Sequence, residues 1–243
     1  MRILVISDIH ANLAALEAVL ADAKGDWDKI WFLGDLIGYG PDPNECVALL
    51  REHDPIALSG NHDWAILGKL DIQHFNQDAR NAVLWAQRVI NADSRAYLDS
   101  LPPISAEGPF TLAHASPRHP VWEYILDRGT AAVNFAFFES PFCLVGHTHV
   151  PILYAEASAE HVEVHPPVYN APLILSDDLR CIINPGSVGQ PRDSDPRASY
   201  ALLNLVNMTW EYRRVEYDVA RTQMRMRRHG LSERLVARLE YGW

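Results

Sequence analysis

From Ile3 the chain runs through four consecutive apolar residues to Ile6, then switches to Ser7-Asp8-Ile9-His10. A short unbroken apolar run bounded by polar residues predicts a strand buried on both faces. Leu13, Leu16, Val19 and Leu20 then recur at helical spacing, with Asn12 placed as an N-cap. Lys29 to Leu33 predicts a second strand, closed by Gly34-Asp35. A loop carrying Gly38, Gly40, Pro41 and Pro43 follows, and Pro43 suits the first position of a helix reaching toward His53. Pro55 to Leu58 predicts a third strand that stops at Gly60-Asn61-His62-Asp63. Strand, helix, strand, helix, strand at this pitch implies right-handed crossovers and a largely parallel sheet.

Asp71 to Ser100 breaks that rhythm. Phe75, Ala79, Ala82, Val83, Ala86, Val89 and Ile90 mark one helix, and Tyr97 to Leu101 a second before Pro102-Pro103. The expectation is a helical insertion over about residues 70–103, lying across the third strand's end. The strand rhythm resumes at Phe110–Ala113, which ends at His114, followed by a helix from Thr130 to Phe138. Phe142–Val145 ends in Gly146-His147-Thr148-His149. Residues 152–175 alternate in short strand-like pieces, and Cys181–Ile183 runs into Asn184-Pro185-Gly186-Ser187. Tyr200–Val206 and Thr209–Val215 flank Asn207-Met208 as a hairpin, so a second, more antiparallel sheet is implied. Val219 to Leu239 reads as helical. Eight arginines lie between Arg213 and Arg238, and the acids among them favour a solvated helix face over a nucleic-acid patch.

Length and composition narrow the class. A chain of 243 residues suits a single domain, 1–243, with the helical insertion inside it. Hydrophobic residues at 48% and charged residues at 21% are those of an ordinary globule. A net charge of −10 argues against a general nucleic-acid or membrane coat but leaves room for a local positive site. Cys46, Cys143 and Cys181 are odd in number, far apart and in apolar surroundings, which predicts buried free thiols and a reducing cytoplasm. No signal-peptide pattern and no run of roughly 20 apolar residues is present, so the expected location is cytoplasmic.

The chemistry gathers at strand ends, where open α/β sheets place their sites. In order these residues are Asp8, His10, Asp35, Asn61, His62, His114, His147 and His149. Each has an ordinary use when taken alone. Asp8 could cap the next helix, Gly34-Asp35 could be an Asx-turn, and His114 could be a packed histidine. Gly146-His147-Thr148-His149 is harder to dismiss, since two histidines at i, i+2 in a tight loop suit a chelate. Five independent strand ends supplying ligand types argue against coincidence. Carboxylate, imidazole and carboxamide without thiolate suit Mn²⁺, Fe, Zn²⁺ or Ni²⁺. The ligand count points to two metals about 3.5–4 Å apart, with Asp35 as the bridging carboxylate.

Asp8-x-His10, Gly34-Asp35, Gly60-Asn61-His62-Asp63, His114 and Gly146-His147-x-His149 resemble, in order, the five motifs of the calcineurin-like metallophosphoesterase superfamily. Gly-Asp-Leu-Ile-Gly-Tyr-Gly-Pro-Asp-Pro-Asn from Gly34 and Asn-Pro-Gly-Ser-Val-Gly-Gln-Pro-Arg from Asn184 are similar to its bacterial and archaeal predicted-phosphodiesterase branch. The resemblance implies an α/β (α+β) fold, a four-layer αββα sandwich of two mixed β-sheets flanked by helices. It implies one metal on Asp8, His10, Asp35 and His149, and a second on Asp35, Asn61, His114 and His147. Two divalent transition-metal ions are the expected cofactors, manganese favoured. His62 would stand just outside them, backed by Asp63, and act on the phosphate or leaving group. A water between such metals has its pKa lowered from 15.7 toward roughly 7, giving a bridging hydroxide as nucleophile without a side-chain nucleophile.

One departure narrows the substrate. Protein serine/threonine phosphatases and symmetric dinucleoside tetraphosphatases of the superfamily carry Asp-Arg-Gly where this chain has Leu36-Ile37-Gly38-Tyr39-Gly40. A dianionic monoester would lose a bidentate partner, which favours phosphodiesters or a guanidinium from Arg118 or Arg192. His74, opening the helical insertion, is a further candidate for the mouth of the site. The leading expectation is a phosphodiesterase acting on a small or nucleotide-like substrate. A phosphomonoesterase or dinucleoside-polyphosphate hydrolase is the alternative. A non-catalytic scaffold is disfavoured because every ligand histidine is kept, and a nuclease is disfavoured by the acidic charge. Neither membrane nor nucleic acid is an expected partner, and a homo-oligomer is compatible with everything above.

Overall fold

The computed structural model describes residues 1–158, 161–176 and 178–243. Its first half follows the hydrophobic pattern closely: β1 (Arg2–Ile6), α1 (Leu13–Asp22), β2 (Lys29–Phe32), α2 (Pro43–Arg51) and β3 (Ile56–Ala57). Next come α3 (Asn61–Leu67), a 3₁₀ turn at Ile72–His74, α4 (Gln77–Val89) and α5 (Ala92–Ser100). The second half holds β4 (Ile104–Glu107), β5 (Phe110–Ala113), α6 (Arg128–Asn134), β6 (Phe142–Leu144), β7 (Ile152–Ser158) and β8 (His161–His165). It closes with β9 (Leu173–Ile174), β10 (Arg180–Asn184), β11 (Ala198–Asn204), β12 (Thr209–Val215), α7 (Val219–Arg228) and α8 (Glu233–Tyr241).

These strands form two mixed six-stranded sheets, ordered β3-β2-β1-β11-β12-β9 and β4-β5-β6-β10-β7-β8. The sequence predicts the parallel β1-β2-β3 unit, to which the antiparallel β11-β12 hairpin adds on the other side of β1. Side chains alternate across each strand. Ile3 and Val5 of β1 therefore enter the core between the sheets, with Phe110, Phe142, Ile183 and Trp210, while Leu4 and Ile6 point outward. Outward residues of the first sheet pack under α1–α5, α7 and α8, and those of the second under α6 and its neighbours. The result is the expected four-layer αββα sandwich. It explains why β1 reads as unbroken apolar sequence: both of its faces are buried.

Register carries the loops to their places. β1 and β2 pair in parallel with Ile6 beside Phe32, so the loops beyond continue the ladder: Asp8 N–H donates to Gly34 O and His10 N–H to Asp35 O, both at 3.0 Å. In the second sheet Leu112 lies beside Leu144, and Gly146 N–H donates to His114 O at 2.8 Å. The β10–β11 connection stitches the two edges together, Val188 and Gly189 donating to Ser7 O and Asp8 O at 3.0 and 2.9 Å.

Four details differ from the hydrophobic reading. β4 adds an antiparallel edge to β5 where no strand is expected, because its alternation is masked by half-exposure at the sheet's rim. Phe75 lies outside α4, whose N-cap is Asn76 accepting from Ala79 N–H at 3.0 Å. The helix expected over Thr130–Phe138 is α6 followed by a 3₁₀ turn at Phe135–Phe137. The C-terminal tail is two helices, because Gly230 takes φ +68° and turns the chain after α7, with Ser232 capping α8. Six of the eight tail arginines pair with acids: Arg213 with Asp26, Arg214 with Asp193, Arg221 with Glu17, Arg225 with Asp42, Arg227 with Glu233 and Arg234 with Asp78. All three cysteines are free and buried, and no helix among the described residues is long and apolar enough to cross a membrane.

The break at Gly230 has a measurable cost. A Cβ there would touch nothing within 4 Å, so Gly230→Ala tests backbone conformation alone. Left-handed backbone costs an L-residue about 1–2 kcal/mol. The expected drop in Tm is roughly 2–4 °C per kcal/mol for a chain of this size. An unchanged Tm in scanning calorimetry would show that the turn does not depend on glycine.

Candidate metal centre

Five of the strand-end residues occupy left-handed backbone: Asp8 (φ +53°), His10 (+48°), Asp35 (+57°), His147 (+64°) and His149 (+62°). Each such residue stores on the order of 1–3 kcal/mol of strain, tolerated only where the surroundings over-determine it. Here the loop hydrogen bonds between neighbouring strands do so. Two glycines make room. A Cβ on Gly60 would lie 2.1 Å from Asp35 Oδ1, and one on Gly146 would lie 2.0 Å from Ser7 Oγ and 2.8 Å from Asp8 Oδ2.

The side chains then converge. His10 Nε2 is 3.0 Å from His149 Nε2, 3.6 Å from Asp35 Oδ2 and 3.9 Å from Asp8 Oδ1, and His149 Nε2 is 3.3 Å from that same Asp8 oxygen. On the other side His114 Nε2 is 3.4 Å from Asp35 Oδ2 and 3.2 Å from Asn61 Oδ1, with the His147 ring 5.1 Å away. Ligand atoms of Asp8, His10 and His149 lie within 4.8 Å of one another, as do those of Asp35, His114 and His147. Asp35 belongs to both neighbourhoods. Its Oδ1 accepts the His62 backbone N–H at 2.9 Å, which aims Oδ2 between His10 and His114.

Acceptors outnumber donors in this space. His149 Nδ1 hydrogen-bonds Gln190 O at 2.6 Å and His114 Nδ1 hydrogen-bonds Leu33 O at 2.9 Å. A carbonyl can only accept, so these bonds place protons on the Nδ1 atoms and turn the Nε2 atoms inward. His147 Nε2 is buried with no protein partner. Burial keeps His10, His147 and His149 below the ordinary imidazole range, hence neutral. Burial alone would raise the carboxyls, yet the facing imidazoles hold Asp8 and Asp35 well below their usual range. Burial also opposes charge on His114, but the Asp35 carboxylate pushes it up to about 9, so in the protein alone a proton stands between them. Neutral imidazoles, two carboxylates and a carboxamide whose lone pairs converge are a donor set that a divalent cation fits, displacing that proton on entry.

Residues 1–208 match the calcineurin-like phosphoesterase superfamily domain. The chain belongs to that superfamily. A metallophosphoesterase from Sphaerobacter thermophilus superposes with a TM-score of 0.91 at 51% identity, covering 100% of this chain and 99% of that one. An uncharacterized protein of Methanocaldococcus jannaschii is 39% identical over 246 residues, spanning 99% of this chain and 98% of its own. The hypothetical protein PH1004 from Pyrococcus horikoshii shares the fold, with a TM-score of 0.81 at 18% identity over 100% of this chain and 98% of its own.

Around this candidate centre the remaining candidates separate. The His62 ring packs beside the candidate ligands His10 and Asp35, its centroid 4.9 Å from that of His10, 4.4 Å from Tyr39 and 5.1 Å from Phe75, and burial lowers its pKa to about 4. Asp63 does not back it. Its carboxylate accepts backbone N–H groups of Gly60, Leu36 and Ile37 at 2.9, 3.3 and 3.1 Å, pinning one ligand loop to the next, while His62 Nδ1 has no partner. Arg118 is turned away, its guanidinium paired with Glu123 and stacked toward Phe137. His74 is exposed at the end of the 3₁₀ turn, and the inward residue of that segment is its neighbour Phe75. Arg192 does reach the centre: its Nη2 donates to Gln190 Oε1 at 2.9 Å and to the Tyr39 hydroxyl at 3.4 Å.

Sequence reasoning misses the aromatic wall. Tyr39 lies 4.7 Å from the His10 ring, and Tyr124 stacks on His147 at 3.9 Å and 22° while remaining 43% exposed. Trp122, 41% exposed, leans on Phe75 at 5.2 Å. The signal available was Val-Trp-Glu-Tyr in the loop after His114, which carries no periodicity and so reads only as loop.

Gly60 is the test of this packing. The Cβ of Gly60→Ala would meet both the carboxylate and the backbone nitrogen of Asp35 below 3.0 Å. Overpacking of this kind costs about 1–3 kcal/mol, read from the urea midpoint. A fully stable Gly60→Ala protein would mean that Asp35 is not confined as described.

Proposed function

We propose that this chain is a binuclear-metal phosphodiesterase, hydrolysing a small or nucleotide-like phosphodiester. The observation that carries the reading is Asp35 Oδ2 standing between two acceptor-rich clusters, 3.6 Å from His10 Nε2 and 3.4 Å from His114 Nε2. Asp8, His10, Asp35 and His149 would hold one divalent cation. Asp35, Asn61, His114 and His147 would hold the other, with manganese the favoured metal. When bound, such a pair supplies Lewis-acid polarisation of the phosphoryl group and activation of water.

The chain's own residues supply the rest. Leu33 O and Gln190 O fix the rings of His114 and His149 through their Nδ1 atoms, so the ligand nitrogens are set before a cation arrives. His62, buried and neutral, offers an N–H to the leaving oxygen as negative charge develops there. Arg192 takes the place of the arginine missing from the loop after Asp35. It is held by neutral acceptors, Gln190 and Tyr39, and so keeps its full charge for a phosphoryl oxygen. One such guanidinium matches the single negative charge of a diester. Tyr124 and Trp122 form a wall against which a planar substrate group can stack. The buried free thiols suit a cytoplasmic protein.

Elemental analysis of metal-loaded protein should count two cations per chain. Asp35→Asn and His147→Ala should each lower that count and abolish turnover while circular dichroism stays native. His62→Ala should keep both cations and slow turnover by about 10²–10⁴-fold. A count of one in the loaded wild type ends the binuclear reading, and metal loss in His62→Ala ends the role given to that side chain. Among bis(p-nitrophenyl) phosphate, p-nitrophenyl phosphate and diadenosine tetraphosphate, the first should turn over fastest. Faster cleavage of either other substrate would overturn the diester preference.

A further inference from the structure

α8 brings a second uncompensated cation to the mouth of the centre. Arg238 Nη1 donates to Gln190 Oε1 at 3.4 Å, the same oxygen that receives Arg192 Nη2 at 2.9 Å. No carboxylate lies within ion-pairing distance of either guanidinium among the described residues. Each also has a buried Nε without a protein partner. Their neighbours on the tail behave otherwise, six of them finding acids.

This arrangement is costly without a ligand. Two like charges share one acceptor, Gln190, which itself lines a narrow crevice with His10, Tyr39, Met226 and Leu239. Burial first, and Arg192 second, depress Arg238 below the ordinary guanidinium range. The chain carries an excess of ten negative charges, so acids to neutralise the pair are not scarce. Gln190 is 1% exposed and neutral, so it aligns the guanidiniums without cancelling them. Its backbone oxygen meanwhile orients His149, which fixes the cation pair rigidly to the ligand set. A fork of fixed guanidiniums beside a phosphoester site is a receptor for phosphate-type oxygens. Arg238 lies beyond residue 208, where the match to the superfamily domain ends.

We infer that Arg238, aligned beside Arg192 by Gln190, supplies a subsite for a second phosphate-type group on the same substrate molecule whose phosphodiester Arg192 meets at the metal centre. The inference rests on the proposed function only for the position of the reacting phosphate. It selects, among small diesters, those that carry a further terminal phosphate.

The probe is a matched pair: thymidine 5′-(p-nitrophenyl phosphate) with and without a 3′-phosphate, assayed with manganese-loaded protein. The wild type should favour the 3′-phosphorylated substrate in kcat/KM by about tenfold, the scale of one charge-assisted contact. Arg238→Gln should bring that ratio to near one, and Arg238→Lys should retain part of it. Raising the salt concentration should shrink the preference. In parallel, calorimetry compares thymidine 3′,5′-bisphosphate with thymidine 5′-monophosphate on both wild type and Arg238→Gln. A ratio near one in the wild type, or one that Arg238→Gln leaves unchanged, overturns the subsite, as does equal binding of the two nucleotides by the wild type. If neither diester is cleaved but the bisphosphate binds more tightly in an Arg238-dependent way, the phosphodiesterase reading fails and the subsite stands.

Discussion

A carboxylate that must face two ways at once organises this molecule. Asp35 Oδ1 takes a backbone N–H from His62, and that single bond leaves Oδ2 between imidazoles that follow strands of the two different sheets. Nothing donates enough protons to satisfy the acceptors gathered there, so the protein concentrates lone pairs at a cost that packing alone would never select. Strained backbone at Asp8, His10, Asp35, His147 and His149 adds to that cost. The two sheets must therefore hold these loops against both electrostatics and torsion.

They do so by continuing strand register past the strand ends. Asp8 bonds to Gly34, His10 to Asp35, and Gly146 to His114, each as one more rung of a neighbouring ladder. The sheets are then joined across the sandwich by His147 N–H donating to the Asp8 carboxylate at 3.1 Å and by Gly189 N–H donating to Asp8 O at 2.9 Å. Asp63 does the same work between the second and third strands, with three backbone donors on one carboxylate. Its place in the ligand motif reflects loop assembly, and the geometry separates it from the neighbouring His62. Stability and site geometry are here the same set of hydrogen bonds.

Charge is managed by contrast. Six tail arginines pair with acids, but among the described residues Arg192 and Arg238 meet only neutral acceptors. Arg192 and Arg238 lean on Gln190, and Arg192 also on Tyr39. A guanidinium bonded to a carboxylate is spent, as Arg118 on Glu123 illustrates. One bonded to an amide is oriented and still charged, which is the condition for attracting an anion from solution.

By itself, the order of apolar runs and polar strand ends determined the parallel core of the first sheet, the presence of a second and more antiparallel sheet, and the set of candidate metal ligands, while the four-layer αββα arrangement was implied only by the resemblance of the motifs to a family. Those features are local: an apolar run of four to eight residues, or an Asp and a His directly after it, is visible in a short window. Tertiary structure alone decided which side chains meet. The sharing of Asp35 between clusters, the diversion of Asp63 and Arg118, the substitution of Phe75 for His74, and the arrival of Tyr124 and Arg238 all depend on contacts between loops far apart in the chain. Such contacts follow from strand register and helix packing, which fix direction in space, and no pattern along the chain encodes direction.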